Sequence, residues 1–172
     1  MPELTAALCE HRQTAYNKII RSVSIPQEAF EDFCSWSEER YTRNCIFENE
    51  KFELILICWE KDQKTPIHDH DGEECWVKVI DGTLKETLYK DTPSGPAQFK
   101  SSISVKWTIS YMIDFMGYHK LENISDRRAM SLHLYAKPIK KCNVFDDQKQ
   151  VFSTKTLSFN TVSSAFKFIQ DI

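Results

Sequence analysis

Cys75-Trp76-Val77-Lys78-Val79-Ile80, then Asp81-Gly82, then Thr83-Leu84-Lys85-Glu86-Thr87-Leu88-Tyr89, reads as two short strands around a two-residue hairpin turn. β-Branched and aromatic residues alternate with polar ones, and Asp-Gly supplies the positive φ that tight hairpins need. The same pattern spreads in both directions. Upstream, residues 43–47 and 52–60 are predicted strands about the turn Glu48-Asn49-Glu50. Downstream, DTPSGPAQ from Asp91 is a loop by its Pro, Gly and Ser content. Further strands are expected at 103–108, 110–114, 121–124 and 129–136, with one or two more in the tail VFSTKTLSFNTVSS from Val151. The front is different. Leu4, Ala7, Leu8, Tyr16, Ile19 and Ile20 fall near one helical stripe, with Thr5 as candidate N-cap. Ser24-Ile25-Pro26 breaks it, with Ser24 as cap and Pro26 in the first turn of a second helix, PQEAFEDFCSW. The expectation is an all-β, double-sheet jelly-roll barrel with N-terminal α-helices packed on the outside.

Bulk properties bound the function. The chain has 172 residues, 41% hydrophobic and 27% charged, which suits one folded domain. A single domain over 1–172 is expected, with a helical flank over about 1–36 and a barrel over about 41–165. The net charge is −3 with no basic run, so no nucleic-acid partner is expected. The longest strongly apolar run, LILICW from Leu54, is far short of the ~20 residues of a membrane span. The N-terminus lacks the basic start and apolar core of a signal peptide. A cytoplasmic protein with no membrane partner is the expectation, and a monomer. The six cysteines form no CxxC pair and read as reduced thiols.

The chemistry concentrates in Ile67-His68-Asp69-His70. Residues i and i+2 of a strand share a face, so His68 and His70 can reach one metal from inside a barrel. A lone H-x-H is weak evidence. Here it is joined by His119 in GYHKLEN, with Asn123 four residues later, and by Gly82. These pieces resemble the two motifs of the cupin superfamily. Where the first motif carries a glutamate, counting back from Gly82 reaches Cys75, while Glu74 is one residue out of register and belongs to the other face. Three neutral imidazoles without a carboxylate leave a divalent ion's charge uncompensated, which favours an anionic ligand such as a thiolate. Ligand types alone leave zinc and iron both open.

The chain resembles the cysteine dioxygenase family over most of its length. The matching stretches are YTRN from Tyr41, LICW from Leu56, IHDH from Ile67, DGTLKETLY around Gly82, GYHKLENIS from Gly117 and SLHLY from Ser131. The resemblance implies one iron(II) per chain on His68, His70 and His119, and no organic cofactor. It implies that Arg43 holds the substrate carboxylate, with Tyr41 helping. A planar guanidinium pairs bidentately with a carboxylate and stays charged when buried, which suits that role. In SLHLY, Ser131, His133 and Tyr135 alternate with leucines and share one face, so a hydrogen-bonded Ser–His–Tyr chain is expected. By resemblance Tyr135 works near the metal and His133 and Ser131 orient it. Cys75 and Tyr135 occupy the two positions that a thioether joins in the animal enzymes. Ile57 and Trp59 are expected at the pocket, and Cys142 near its mouth.

The activity this implies is oxidation of L-cysteine by dioxygen to L-cysteine sulfinic acid, the first step of cysteine catabolism and taurine biosynthesis. The rivals are a dioxygenase for 3-mercaptopropionate or cysteamine, a non-catalytic metal-binding cupin, and a zinc hydrolase.

Overall fold

A computed structural model describes residues 1–164. The last eight residues, and with them the end of the expected barrel at 165, lie outside the described residues. Eleven strands follow two short helices, in the order α1 (Pro2–Glu10), α2 (Tyr16–Ser22), β1 (Thr42–Glu48), β2 (Glu53–Trp59), β3 (Cys75–Asp81), β4 (Thr83–Lys90), β5 (Ala97–Val105), β6 (Ile109–Met112), β7 (Tyr118–Asn123), β8 (Ala129–Tyr135), β9 (Lys141–Asp146), β10 (Val151–Thr156) and β11 (Thr161–Val162). One sheet has the order β11-β1-β2-β8-β3-β6. The opposite wall contains β5-β4-β7 and β10-β9. Residues 67–70 close the gap between these two groups, since His68 bridges His119 on β7 and Val144 on β9. The all-β double-sheet barrel with helices outside is thus borne out.

Strands β2, β3 and β8 are buried along their whole length. Alternation survives in what each face touches. Leu54, Leu56, Trp76, Ile80, Leu132 and Leu134 pack with Leu4, Leu8, Tyr16 and Ile20 of the helices. Ile55, Ile57, Trp59, Cys75, Val77 and Tyr135 turn into the barrel. Each fully buried Leu or Ile contributes on the order of 1.5–3 kcal/mol.

Several local expectations need correction. The front helix is broken: α1 ends at Glu10, and a 3-10 turn at Gln13–Ala15 leads into α2. Residues 11–14 are polar and exposed, so a continuous helix gains no burial there. Met1, not Thr5, is the N-cap, and the Thr5 hydroxyl donates back to the Pro2 carbonyl within the helix. The second helix is a 3-10 segment, Gln27–Phe33, that buries only Phe30. Its N-cap is Pro26 and it has no side-chain cap. Strand β5 begins six residues before the expected 103, and β9 falls where no strand was expected.

The largest correction is at Asp81-Gly82. Strands β3 and β4 do not pair. β3 pairs with β6 and β8, whereas β4 pairs with β5 and β7. The dipeptide is the corner where the chain leaves one sheet for the other. Gly82 has φ +81, and a Cβ there would lie 2.6 Å from the Ala129 Cβ. Arg127 grips both Asp81 carboxylate oxygens, at 2.6 and 3.0 Å, from the turn before β8. The same residue types serve a hairpin or a corner, because both need positive φ. On the helix side, buried Lys78 donates to the Ile20 and Val23 carbonyls at 3.0 and 2.8 Å. It thereby satisfies carbonyls at the end of α2 that the helix itself leaves unpaired.

Candidate active site

Residues 67–70 are an extended bridge rather than a strand in a ladder, yet the i, i+2 logic holds. Asp69 points to one side, accepting hydrogen bonds from the Asn143 backbone at 2.8 Å and side chain at 2.7 Å. His68 and His70 point to the other, toward His119. Gly117, at φ +104, lets the chain pass close to the Tyr89 backbone two residues before His119, so β7 enters beside β4. One ligand atom from each of His68, His70 and His119 lies within 4.8 Å of the other two. His70 Nε2 and His119 Nε2 are 3.0 Å apart.

The electrostatics suit a cation. Burial, then the neighbouring His119, pulls the His68 imidazole down to about 3 and holds His70 well below the usual histidine range. Both are therefore neutral at physiological pH, as ligands must be. The Pro66 carbonyl lies 3.0 Å from His68 Nδ1, and the Glu86 carboxylate 2.8 Å from His119 Nδ1. Each fixes an Nδ1–H tautomer, leaving Nε2 as the electron-pair donor. Three converging imidazoles fit a divalent metal.

Strand β8 supplies the next group. Trp59 Nε1 donates to Ser131 Oγ at 2.9 Å, and Ser131 Oγ lies 2.8 Å from His133 Nε2. The expected chain stops there. His133 and Tyr135 meet as stacked rings, 6.2 Å between centroids, and His133 Nδ1 has no hydrogen-bond partner among the described residues. Tyr135 also packs edge-on against His70 at 5.3 Å. Cys75 is directly opposite Tyr135 in the β3–β8 register. Burial pushes the Cys75 thiol well up, offset in part by a hydrogen bond with Tyr135. Burial, then Cys75, likewise raises the Tyr135 hydroxyl, so both are protonated.

A cavity of about 340 Å³ opens beside these groups, lined by Tyr41, Arg43, Ile57, His68, His133, Tyr135 and Cys142 among others. Among the described residues no carboxylate lines it, while Arg40 and Lys155 add positive charge. The structure thus brings Tyr41, Arg43, Ile57, Tyr135 and His133 to one space with the histidine cluster. Trp59 and Ser131 stand behind the wall, although Trp59 packs on Tyr41 at 5.0 Å. Glu74 does sit on the other face, accepting from Tyr111 and Gln13.

Two buried carboxylates escaped the sequence reading. Glu86 orients His119. Glu53 accepts from Arg43 Nη2 at 3.1 Å and from the Ile139 amide at 3.0 Å. A signal was present for Glu53 alone, an acid at an inward position of the otherwise apolar β2, where it needs a partner; Glu86 shares β4 with Lys85, Thr87 and Lys90 and does not stand out.

Comparison with known proteins agrees with this geometry. The family model described as cysteine dioxygenase type I matches residues 13–148. A cysteine dioxygenase type 1 from Danio rerio is 35% identical over 142 residues, 79% of this chain and 70% of that protein. The Homo sapiens cysteine dioxygenase type 1 is 33% identical over 154 residues, 83% of this chain and 77% of that one. A solved Bacillus halodurans structure shares the fold alone, with TM-score 0.53 at 12% identity over 67% of this chain and 80% of that one. On the matched family model and these relatives, the chain belongs to the cysteine dioxygenase type I family.

Proposed function

We propose that the chain is an iron(II)-dependent thiol dioxygenase that oxidises L-cysteine with dioxygen to L-cysteine sulfinic acid, the first step of cysteine catabolism and taurine biosynthesis. The observation that carries the reading is one cavity lined both by His68, a member of the three-imidazole cluster, and by the largely buried Arg43 guanidinium. His68, His70 and His119 would hold one iron(II) per chain, which would supply the redox chemistry of the oxidation. Iron rather than zinc rests on the family, because imidazoles accept either.

The chain's own residues do the rest. Arg43 keeps its charge and offers Nε, buried and without a hydrogen-bond partner among the described residues, to the substrate carboxylate. Tyr41 flanks it. Ile57, with Leu121, forms an apolar wall that excludes water. Tyr135 holds its proton and can donate it in a hydrogen bond to substrate. His133, fixed by Ser131 and Trp59, holds the Tyr135 ring in place by stacking. The opposed Cys75 and Tyr135 support a thioether between them, which lowers the intact mass by two hydrogens. The six cysteines are all free thiols, which supports a reducing, cytosolic setting, and a monomer is the proposed form.

The test is anaerobic reconstitution with iron(II), then oxygen uptake and sulfinate formation on L-cysteine, 3-mercaptopropionate and cysteamine. L-Cysteine should be the preferred substrate. Leaving a buried charge unpaired costs about 2–5 kcal/mol, so Arg43→Ala should lower kcat/KM for cysteine by roughly 30- to several thousand-fold. Absence of sulfinic acid from the iron-loaded protein, or activity that persists without oxygen, overturns the reading.

A further inference from the structure

Arg43 already has a counter-ion. Glu53 opens β2 with a fully buried side chain, holding Arg43 Nη2 at 3.1 Å through one oxygen and the Ile139 amide through the other. It does not line the cavity but stands behind Arg43, on the inward face that continues through Ile55 and Ile57. A substrate carboxylate on the cavity side of Arg43 therefore puts two carboxylates on one largely buried guanidinium.

Among the described residues, the groups that act on Glu53 offer it no second free cation; Arg40 and Lys155 line the cavity but are not among them. Glu48 and Cys45 on β1, Cys75 on β3, Tyr135 on β8 and Lys140 beyond it are the other charged or titratable groups that act on Glu53. Lys140, the only cation among them, is paired with Glu48. Burial pushes the Cys45 thiol up to about 12 and the Cys75 and Tyr135 groups well up, so none of these absorbs the excess negative charge. Glu53 cannot simply swing away, because the Ile139 amide anchors it. The remaining response is to neutralise it.

We propose that Glu53 is the resting counter-ion of Arg43 and a specificity-determining residue, and that binding of a carboxylate-bearing thiol is coupled to uptake of one proton by Glu53. This rests on the reading of Arg43 as the carboxylate clamp. Glu53 is poised for it, since burial raises its carboxyl to about 7, with Arg43 opposing. A second carboxylate on Arg43 raises it further. Above pH 7 the bound protein then holds more protons than the free protein, so affinity for carboxylate-bearing thiols falls as pH rises. A thiol without a carboxylate leaves the Arg43–Glu53 pair intact and escapes that dependence.

The experiment is calorimetric titration of the iron-loaded protein without oxygen, at pH 8, in two buffers of different ionisation heat. Wild-type protein should take up about one proton more per bound L-cysteine than Glu53→Gln does. With cysteamine the two proteins should match. In steady-state assays the ratio of wild-type to Glu53→Gln KM for cysteine should rise about tenfold from pH 7.5 to 8.5, with kcat far less affected. Equal proton counts in the two proteins, or a ratio that stays flat, overturn the proposal. If Glu53→Gln does not fold, wild-type protein alone decides it, by taking up one proton more with cysteine than with cysteamine or failing to. Arg43→Ala separates the two readings. Unchanged cysteine affinity in that variant sinks the clamp itself, whereas weakened affinity with equal proton counts for wild type and Glu53→Gln sinks only the role of Glu53.

Discussion

Strand β8 presents two surfaces that differ in everything but burial. Met130, Leu132 and Leu134 pack with Leu4, Leu8, Tyr16, Ile19 and Ile20 of α1 and α2. Ser131, His133 and Tyr135 face the barrel, beside Trp59, Cys75 and the three-histidine cluster. A sheet covered on both sides lets one face carry stability through close packing. The other can then tolerate lone pairs, the unpaired Nδ1 of His133 and a guanidinium that a stability-driven core would exclude. If the division is real, substitutions on the two faces should fail in different assays.

The largest separation is expected between His119 and Leu132. His119→Ala removes one of three inward donors and should weaken divalent-metal binding by more than about 100-fold, beyond the usual cost of losing an outer partner of a ligand. Unfolding of the metal-free protein should shift less than for a core leucine. Leu132→Ala should do the reverse, with a loss of about 2–5 kcal/mol in urea unfolding and an unchanged metal affinity for the molecules that remain folded. Metal titration and denaturant melts on both variants check this, and a leucine variant that loses metal at full stability breaks the comparison. Glu86→Gln sharpens it. The amide still accepts from His119 Nδ1 but without charge, so metal affinity should fall roughly 10- to 100-fold while stability moves little.

These faces were unequally legible. The apolar face followed from period and residue type, because burial rewards any large hydrocarbon and leaves a strong alternating signal. His68, His70 and His119 were singled out because imidazoles at those spacings have few other uses together. Glu53 is legible only as the one acid of an apolar strand, and Glu86 is not, since a glutamate in a mixed strand looks the same whether it faces water or a buried partner. Asp81-Gly82 misled for a related reason. The dipeptide encodes a positive-φ corner, but whether the flanking strands pair with each other or join different sheets depends on Ala129 and Arg127, some fifty residues away. The breaks in the helical flank were likewise set by what the sheet could cover. Position within the barrel, unlike local conformation, is a property of contacts distant in sequence.

The smallest effect is expected where neither face reaches. Strand β5 is the edge of β5-β4-β7, and Ile103 on it is 65% exposed. It backs neither the helices nor the cavity. Ile103→Thr keeps the β-branched shape that suits a strand and removes only hydrocarbon already in water. Stability should stay within about 0.5 kcal/mol, and metal affinity and cysteine turnover should not change. A loss above about 1 kcal/mol would exceed what a mostly solvent-facing ethyl group can supply. It would mean that β5 contributes to the packed core after all. The contrast would then be not between two faces of one strand but between the whole barrel and its cavity.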